Sequence, residues 1–522
     1  MGSPEQGALG QPSVAIVTLG CGRNDVDSDQ LAGVFVRDGM RVVDEAAGAD
    51  VVIVNTCTFI GPAKQESIDT ILAACDLKDD GARAVLVVGC MAERYPDELA
   101  AEIPEADAVV GFDGYARLPQ LVDDILAGRP YERVVKRPDE PATTAASVTA
   151  ATPGATVTPA PSALRRDLPL LIMPTTADEA PPEAPPLPDR PETPQDELDR
   201  MPDSGPRFPI RRFDGSAWAY LKIASGCDRV CTFCAIPGFR GRFRSRDLDE
   251  ILAEAAWLVG EGARELVLVS ENTTSWGKDL GGRDLQPTLL RELSDIDDLA
   301  RIRLMYLQPA ELQRPLIEAM AALPKVASYF DLSLQHVSDS VLRRMARSGS
   351  PERFTTMIDA IRDLDPHAVF RSNFILGFPG ETEDDVRQLE DFLAANRLDW
   401  VGLFTFSEED GTPSATMPDQ VPADLADERR GRVSELQERL ADEASQAFVG
   451  RELDVLVEEL VTEDGRVTST VGRSYREAPE TDGEIELVAG DRSPADLPVG
   501  RTVTARVVDR VGVDLVAEVT GS

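Results

Sequence analysis

The chain has 522 residues, with 53 Lys and Arg against 92 Asp and Glu, and a formal net charge of -39. This length allows about three domains at roughly 150 residues each, and the negative charge excludes a surface that follows a phosphate backbone. Seven cysteines are too few for a disulfide framework in such a chain, so metal or redox chemistry explains them better.

The first residues show neither a leader nor an anchor signal. They lack a basic segment followed by an apolar one, and Gln6 stands where a myristoylation signal has Ser or Thr. No apolar run reaches the roughly 18 residues that span a membrane. We therefore expect a cytoplasmic protein whose partner is basic, rather than naked nucleic acid.

Residues 1–135 are expected to form a parallel α/β domain. Short runs rich in Val and Ile predict buried parallel strands at 14–19, 51–55 and 84–88. Between them, apolar side chains at spacings of three and four predict a helix with one buried face: Ile68, Ile71, Leu72 and Cys75.

Residues 136–209 are predicted to be a disordered linker or insertion. The stretch 141–209 holds 16 of the 38 prolines of the chain, and it is otherwise rich in Ala, Thr and Asp. Such a composition without periodicity does not build a packed core.

Residues 210–445 alternate strand and helix six times, which predicts a partial (β/α)6 barrel that stays open. The strands are expected at 219–224, 265–269, 301–307, 329–334, 369–376 and 400–406. Barrels of this kind place their chemistry on the loops that follow the strands. Polar segments stand at those positions: 225–227, 270–272, 335–336, 377–382 and 407–409.

Residues 446–522 are predicted to form a small antiparallel β-barrel, after an acidic helix at 425–447. Short runs at 453–457 and 503–508 alternate apolar and polar side chains. This segment has 8 Arg and no Lys against 16 Asp and Glu. An acidic barrel would repel RNA and attract a basic protein.

Cys227, Cys231 and Cys234 have the C-x3-C-x2-C spacing of a loop that wraps one face of a four-iron cluster. Ordinary electron carriers use four cysteines, so three thiolates leave one iron open to another ligand. Zinc is the alternative, but it prefers a second cysteine pair or histidines, and the chain has only His336 and His367.

Cys21, Cys57 and Cys90 form no local motif, since 36 and 33 residues separate them. Each follows the carboxyl end of a predicted parallel strand, the edge at which open α/β sheets bind ligands. They therefore predict a second site of three thiolates. The alternative is three small buried hydrophobic residues, which is how we interpret Cys75 on its helix.

Three further features have two interpretations each. The run Arg240, Arg242, Arg244 and Arg246 either binds carboxylates or a phosphate, or forms a solvated basic face. Phe233 either stacks on a nucleoside or packs the cysteine loop against the barrel. Residues 377–381 either bring backbone close to a cofactor or form a strand-to-helix turn.

These residues resemble the radical S-adenosylmethionine methylthiotransferase family. The resemblance covers the loop at Cys227, NTCTFI around Cys57, VVGCMAERY around Cys90, and the tail, which is similar to a TRAM barrel. Segments 333–347 and 374–385 are most similar to the RimO branch, which modifies an aspartate of a small-subunit ribosomal protein (S-twelve). The alternatives are a MiaB-like tRNA adenosine methylthiotransferase, or an RNA-binding or electron-transfer protein without turnover.

The resemblance implies two 4Fe-4S clusters, one on each cysteine triplet, and S-adenosylmethionine on the open iron beside Cys227. Its reductive cleavage would give a deoxyadenosyl radical, and the other cluster would carry the sulfur that reaches the β-carbon of the aspartate. It implies no catalytic residue beyond the cluster ligands. The partners would be a basic ribosomal protein, a low-potential electron donor and a sulfur donor. The cofactor contacts would be Phe233, Glu271, Gln335 and Arg371.

Overall fold

The computed structural model describes residues 11–135, 215–281, 285–463, 466–488 and 496–521. The insertion predicted at 136–209 lies outside the described residues. The described chain forms three units in order: a parallel α/β sheet, an arc of six parallel strands, and a closed β-barrel. None of the described helices is long and apolar enough to cross a membrane.

The first unit is a six-stranded sheet. Its strands are β1 Ser13–Thr18, β2 Arg41–Val43, β3 Val51–Thr56, β4 Ala84–Gly89, β5 Ala108–Val110 and β6 Val134–Val135. They pair in parallel in the order β2-β1-β3-β4-β5-β6, so the three predicted strands lie together within the sheet. The helices that cover it are α1 Gly22–Arg37, α2 Gly61–Asp76, α3 Cys90–Arg94, α4 Pro96–Glu102 and α5 Leu118–Leu126.

Helix α2 buries its predicted face only in part. Ile71 and Cys75 are buried and belong to one of the two cores of the sheet, as the sequence indicated. Leu72 is 43% exposed, so its assignment to that face was wrong. Successive residues of a helix point in different directions, and the residue beside a buried Ile71 is turned toward solvent.

The second unit is the predicted open barrel. Its six long strands are β7 Trp218–Lys222, β10 Glu265–Val269, β11 Arg301–Leu304, β12 Tyr329–Gln335, β13 Val369–Leu376 and β14 Trp400–Thr405, and a short antiparallel pair is β8 Ala224–Ser225 and β9 Arg244–Ser245. The long strands form two parallel sheets, β11-β10-β7 and β12-β13-β14, and a bridge between Leu307 and Leu332 connects these into one arc.

Helices alternate with the strands of the arc. They are α6 Ile236–Arg240, α7 Leu248–Gly260, α8 Leu285–Ser294, α9 Arg314–Ala322, α10 Asp339–Arg344, α11 Pro351–Leu364, α12 Glu383–Asn396 and α13 Ala423–Gln446. Helix α12 begins with a capping box in which Thr382 and Asp385 satisfy each other's backbone N–H groups. The large apolar core of this unit lies between the strands and these helices.

The third unit is the closed barrel predicted for the tail. Its strands are β15 Glu452–Glu463, β16 Arg466–Arg473, β17 Ile485–Val488, β18 Thr502–Val511 and β19 Asp514–Gly521. They close in the order β15-β16-β17-β19-β18. The ladder between β17 and β19 is parallel, and the other ladders of the described barrel are antiparallel, as expected.

The third unit docks on the arc at the first residues of the strands. Glu265, which opens β10, is fully buried and pairs with Arg303 at 2.7 Å and Arg301 at 3.2 Å. Burial raises the pKa of Glu265, but Arg303 and Arg473 outweigh it and hold that pKa at about 2. Arg303 also donates to the carbonyl of Ser474. The opposite end of the strands, where the polar loops lie, is left to face the first unit.

Candidate active site

A cavity of about 520 Å³ lies between the first unit and the arc, and both predicted cysteine triplets line it. Its cysteines are Cys21, Cys57, Cys90, Cys227, Cys231 and Cys234. All six are free thiols. Two segments more than 130 residues apart in the chain therefore supply thiols to one cavity. Cys75 is not part of this lining and lies in the core under α2.

The sheet places the first triplet. Cys57 directly follows β3, Cys90 directly follows β4, and Cys21 lies between β1 and α1. Gly89 makes the junction between β4 and Cys90 possible, because its φ of 92° is one that side chains rarely adopt. A Cβ there would also lie 2.6 Å from the backbone N of Thr56. The strand ends thus converge as the sequence indicated.

Backbone hydrogen bonds fasten the second triplet, whose loop runs between β8 and β9. The Cys227 N–H donates to the carbonyl of Gly241 at 3.1 Å. The N–H of Thr232 donates to the carbonyl of Met345 at 3.2 Å, and the carbonyl of Thr232 accepts from Ser414 at 3.0 Å. Backbone hydrogen bonds at Cys227 and Thr232 therefore hold the loop in place.

Most of the cavity thiols are hard to ionise without a partner. Burial, together with neighbouring cysteines, raises the pKa of Cys57 and Cys227 to about 11 and that of Cys234 to about 12. Burial also raises the pKa of Cys21, but the charges of Arg23 and Arg240 outweigh it, so this pKa is lowered. A bound metal removes the problem, since coordination deprotonates a thiol.

The donor set suits an iron–sulfur group better than a single ion. Within the described ranges, no three His, Cys, Asp or Glu side chains are grouped so that they could hold one metal ion. The thiolates of a four-iron cluster bind different iron atoms and are therefore spread more widely. Each triplet supplies three soft sulfur ligands and leaves one position open, which fits such a cluster.

Three arginines donate hydrogen bonds to these sulfur atoms. Arg240 Nη2 lies 3.1 Å from Cys90 Sγ, and Arg23 Nε lies 3.3 Å from Cys21 Sγ. Arg347 Nη1 lies 3.6 Å from Cys231 Sγ, in the second triplet. Sequence reasoning missed Arg23 and Arg347 as site residues, although Arg347 ends the segment 333–347 on which the family resemblance rests.

The arginines that follow the cysteine loop have different surroundings in the structure. Arg240 is buried at the cavity, whereas Arg246 pairs with Glu254 at 2.7 Å. Arg242 is 40% exposed and lies 3.9 Å from Asp228. The side chains therefore follow both interpretations, one residue binding carboxylates at the site and another forming solvated surface.

Glu271 is a buried carboxylate without a hydrogen-bond donor. Its side chain is 2% exposed, and among the described residues neither oxygen has a hydrogen-bond partner. Arg23 and Arg240 lie 3.6 and 3.9 Å away, which is too far for a hydrogen bond. A buried carboxylate in this state indicates that a ligand supplies the missing donors.

Other cavity residues show strained or unpartnered groups. Gln335 has a φ of 70° and Tyr306 a φ of 60°, although neither is glycine. The buried Oδ1 of Asn373 has no hydrogen-bond partner within the described chain. Phe233 lines the cavity and also packs against the core of the arc. Strain and unpaired polar atoms of this kind concentrate where ligands bind.

Arg371, a predicted cofactor contact, does not line the cavity. It lies in the first half of β13, directly opposite Asp331 in the ladder, whereas the cavity is at the carboxyl ends of the strands. Its side chain pairs with Asp331 at 3.2 Å and with Asp482 of the third unit at 3.4 Å. In this structure Arg371 therefore docks the third unit on the arc, and its role as a cofactor contact stays a prediction.

The last two polar loops of the arc also serve the fold. The N–H of Gly377 donates to both oxygens of Glu381 at 3.0 Å, which supports the interpretation of this segment as a strand-to-helix turn. Glu409 binds the first unit through Lys64 at 2.7 Å and Arg94 at 3.0 Å. This loop holds the two halves of the cavity together.

Three family models match the chain. They are "Uncharacterized protein family UPF0004" over residues 13–111, "Radical SAM superfamily" over 221–393 and "TRAM domain" over 449–520. A solved radical S-adenosylmethionine methyltransferase, TsrM from Kitasatospora setae, shares the fold with a TM-score of 0.50 and 16% identity, over 77% of each chain. The radical SAM match implies an iron–sulfur cluster and S-adenosylmethionine.

Curated relatives match almost the whole chain. A protein named ribosomal protein uS12 methylthiotransferase RimO from Streptomyces avermitilis is 46% identical over 97% of this chain and 96% of its own. Relatives with the same name from Kineococcus radiotolerans and Frankia casuarinae are 45% and 42% identical, over 97% of this chain. These relationships, together with the three domain matches, show that the chain belongs to the RimO family of radical S-adenosylmethionine methylthiotransferases.

Proposed function

We propose that this enzyme attaches a methylthio group to the β-carbon of an aspartate in ribosomal protein uS12. The observation that carries the proposal is the single cavity onto which both cysteine triplets open. One triplet serves radical formation and the other serves sulfur delivery, and the substrate carbon has to reach both. A shared cavity meets that requirement.

The protein would hold two 4Fe-4S clusters, one on Cys227, Cys231 and Cys234 and one on Cys21, Cys57 and Cys90. When bound and reduced, the cluster on Cys227, Cys231 and Cys234 would supply a deoxyadenosyl radical together with S-adenosylmethionine. This radical abstracts hydrogen from an unactivated C–H bond. The side chains bind, orient and shield these groups. A low-potential electron donor and a sulfur donor complete the set of partners.

Glu271 and Arg347 are suited to the amino-acid part of S-adenosylmethionine. Among the described residues Glu271 has no hydrogen-bond donor, and it would accept hydrogen bonds from the ammonium group. Arg347 borders Cys231, and no described carboxylate forms an ion pair with it, so it would receive the carboxylate. Phe233 and Gln335 line the same cavity and would contact the rest of the cofactor.

The charge of the chain favours a protein substrate over tRNA. The third unit has 8 Arg and no Lys against 16 acidic residues between positions 446 and 522. RNA binding requires neutralisation of phosphates, which this surface cannot provide. A Lys- and Arg-rich ribosomal protein would instead be attracted and oriented by the same charge.

Mass spectrometry of ribosomal protein uS12 tests the proposal. In the parent strain we expect an aspartate that carries a methylthio group, and in a strain without the gene we expect the unmodified mass. Complementation with the wild-type gene should restore the modification, and complementation with a Cys57→Ala variant should not. An unchanged ribosomal protein together with loss of methylthioadenosine from tRNA would instead establish the MiaB-like alternative.

A further inference from the structure

We propose that Arg240, a residue of the arc, sets the reduction potential of the cluster held by Cys21, Cys57 and Cys90. This inference rests on the proposed function, which places a cluster on Cys21, Cys57 and Cys90. It means that the reduction potential of this cluster is set by a residue of the arc, the unit that carries Cys227, Cys231 and Cys234. The two cysteine sites are then connected electrostatically as well as by the cavity between them.

Arg240 reaches across the boundary between the two units. It is the last residue of α6 and stands six positions after Cys234, so it belongs to the segment that carries the second triplet. Its Nη2 nevertheless donates to Cys90 Sγ at 3.1 Å and to Asn24 Oδ1 at 2.7 Å, both in the first unit. One guanidinium therefore connects the two cysteine segments.

The first unit holds this guanidinium in a fixed position. Arg240 is 3% exposed, and its Nη1 lies 3.3 Å from a carboxylate oxygen of Asp27. The ring of Phe112 lies 5.0 Å from its central carbon, within the range of a cation–π contact. Asp27 also pairs with the buried Lys222 at the end of β7. The geometry of the donor is thus fixed before a cluster binds.

A cationic donor on a ligand sulfur stabilises the reduced form of a cluster, because reduction adds negative charge at the sulfurs. Burial strengthens the effect, since little water screens the charge. The first triplet receives two such contacts, from Arg240 at 3.1 Å and Arg23 at 3.3 Å. Among the described residues, the second triplet receives a longer one, from Arg347 at 3.6 Å. The two clusters should therefore have different potentials.

The test uses full-length protein in which Cys227, Cys231 and Cys234 are replaced by Ala, so that only the first triplet can hold a cluster. This parent is reconstituted with iron and sulfide, and its potential is measured by redox titration monitored by electron paramagnetic resonance. Arg240→Gln and Arg242→Gln are then made in the same parent. Arg242 is the matched control, because it lies two residues away and is 40% exposed.

We expect Arg240→Gln to keep its iron and to disfavour reduction about tenfold, which for one electron is about 59 mV toward lower potential. Arg242→Gln should titrate with the parent. A residue that only supported the fold would change iron content or melting temperature but not the potential of the cluster that remains. Equal potentials in Arg240→Gln and Arg242→Gln would overturn the proposal.

Two further outcomes are also decisive. If Arg240→Gln fails to retain a cluster, Arg240→Met is titrated instead, since methionine is also unbranched but carries neither the charge nor the donor that reach Cys90. A lower potential in that variant supports the proposal, and a potential equal to the parent's overturns it. If the parent itself binds no iron, the proposal that Cys21, Cys57 and Cys90 hold a cluster is wrong. The proposed role of Arg240 is then wrong as well.

Discussion

The two cysteine triplets reach the same cavity by different routes. Cys227, Cys231 and Cys234 stand within eight residues on one loop, and backbone hydrogen bonds hold that loop in place. Cys21, Cys57 and Cys90 are brought together only by three adjacent parallel strands. One site is therefore a property of a local segment, whereas the other is a property of a sheet. The site on Cys21, Cys57 and Cys90 should therefore be the more sensitive to changes in packing.

Replacement of each triplet by Ala should have the largest effect and should separate the two roles. Without Cys227, Cys231 and Cys234, the protein should keep about four irons and lose cleavage of S-adenosylmethionine completely. Without Cys21, Cys57 and Cys90, deoxyadenosine should still form, but no methylthio product should appear. Iron analysis and chromatography of the products measure both. Cofactor cleavage by the first variant would contradict the assignment of the radical site.

Lys222→Met should weaken the contact between the first unit and the arc. The pair that Lys222 forms with Asp27 is buried, and removal of one partner leaves a buried charge, although Arg240 remains beside it. We expect a loss of about 3 kcal/mol in the free energy of unfolding, measured by denaturant titration. Lys64→Met is the control, because Lys64 bridges the same two units but is 21% exposed. A smaller loss in Lys222→Met than in this control would contradict the prediction.

Gly89→Ala should damage the first triplet and spare the second. The new Cβ would meet the backbone of Thr56 at 2.6 Å in a conformation that disfavours a side chain. We expect destabilisation by about 3 kcal/mol and loss of about half the iron, with cleavage of S-adenosylmethionine retained. Gly128→Ala offers a control, since its φ of 62° is also positive but nothing lies within 4 Å. Full iron content in Gly89→Ala would show that the junction tolerates the change.

The sequence was sufficient to predict that both triplets lie at one cavity, because each shows a signal in the chain itself, and their role as cluster ligands stays a prediction. One signal is spacing, and the other is the position of a cysteine after an apolar strand. The short strands β2, β5 and β6 were missed because they have only two or three residues, too few for a periodic pattern. The predicted strand at 301–307 ends at Leu304, since Tyr306 adopts a positive φ.

Contacts between units were beyond sequence reasoning. The partners of Arg371, Asp331 and Asp482, lie 40 or more residues away in the chain, and only the fold joins them. The same limit explains why the bond from Arg240 to Cys90 was not predicted, since 150 positions separate the two residues. Local patterns show which residues can do chemistry, whereas long-range pairing decides which of them reach the site.

The stability of the protein should also depend on pH, through Asp25 of α1. Asp25 lines a second cavity of about 440 Å³, and burial, then Glu480 and Asp29, raise its pKa to about 7. The unfolded value is about 3.9, so between pH 4 and 7 the folded state alone keeps this proton. Stability should therefore fall as the pH rises through this window, by about 1 to 2 kcal/mol given partial exposure. Asp25→Asn should remove that slope in denaturant titrations, and an unchanged slope would contradict the assignment.

Cys75→Ser should have the smallest effect, and it tests the rule that identified the first triplet. Cys75 is a free, buried thiol in the same unit, but it lies on α2 in an apolar core rather than at a strand end. A hydroxyl in that core should cost about 1 kcal/mol, because it needs a hydrogen-bond partner that the apolar neighbours do not supply. Iron content and methylthio transfer should stay at the wild-type level. Cys57→Ser, at a strand end only 18 positions earlier, should lose about half its iron under the same reconstitution. If Cys75→Ser lost about half its iron and Cys57→Ser kept all of it, the position of a cysteine after a strand would not identify a cluster ligand in this fold.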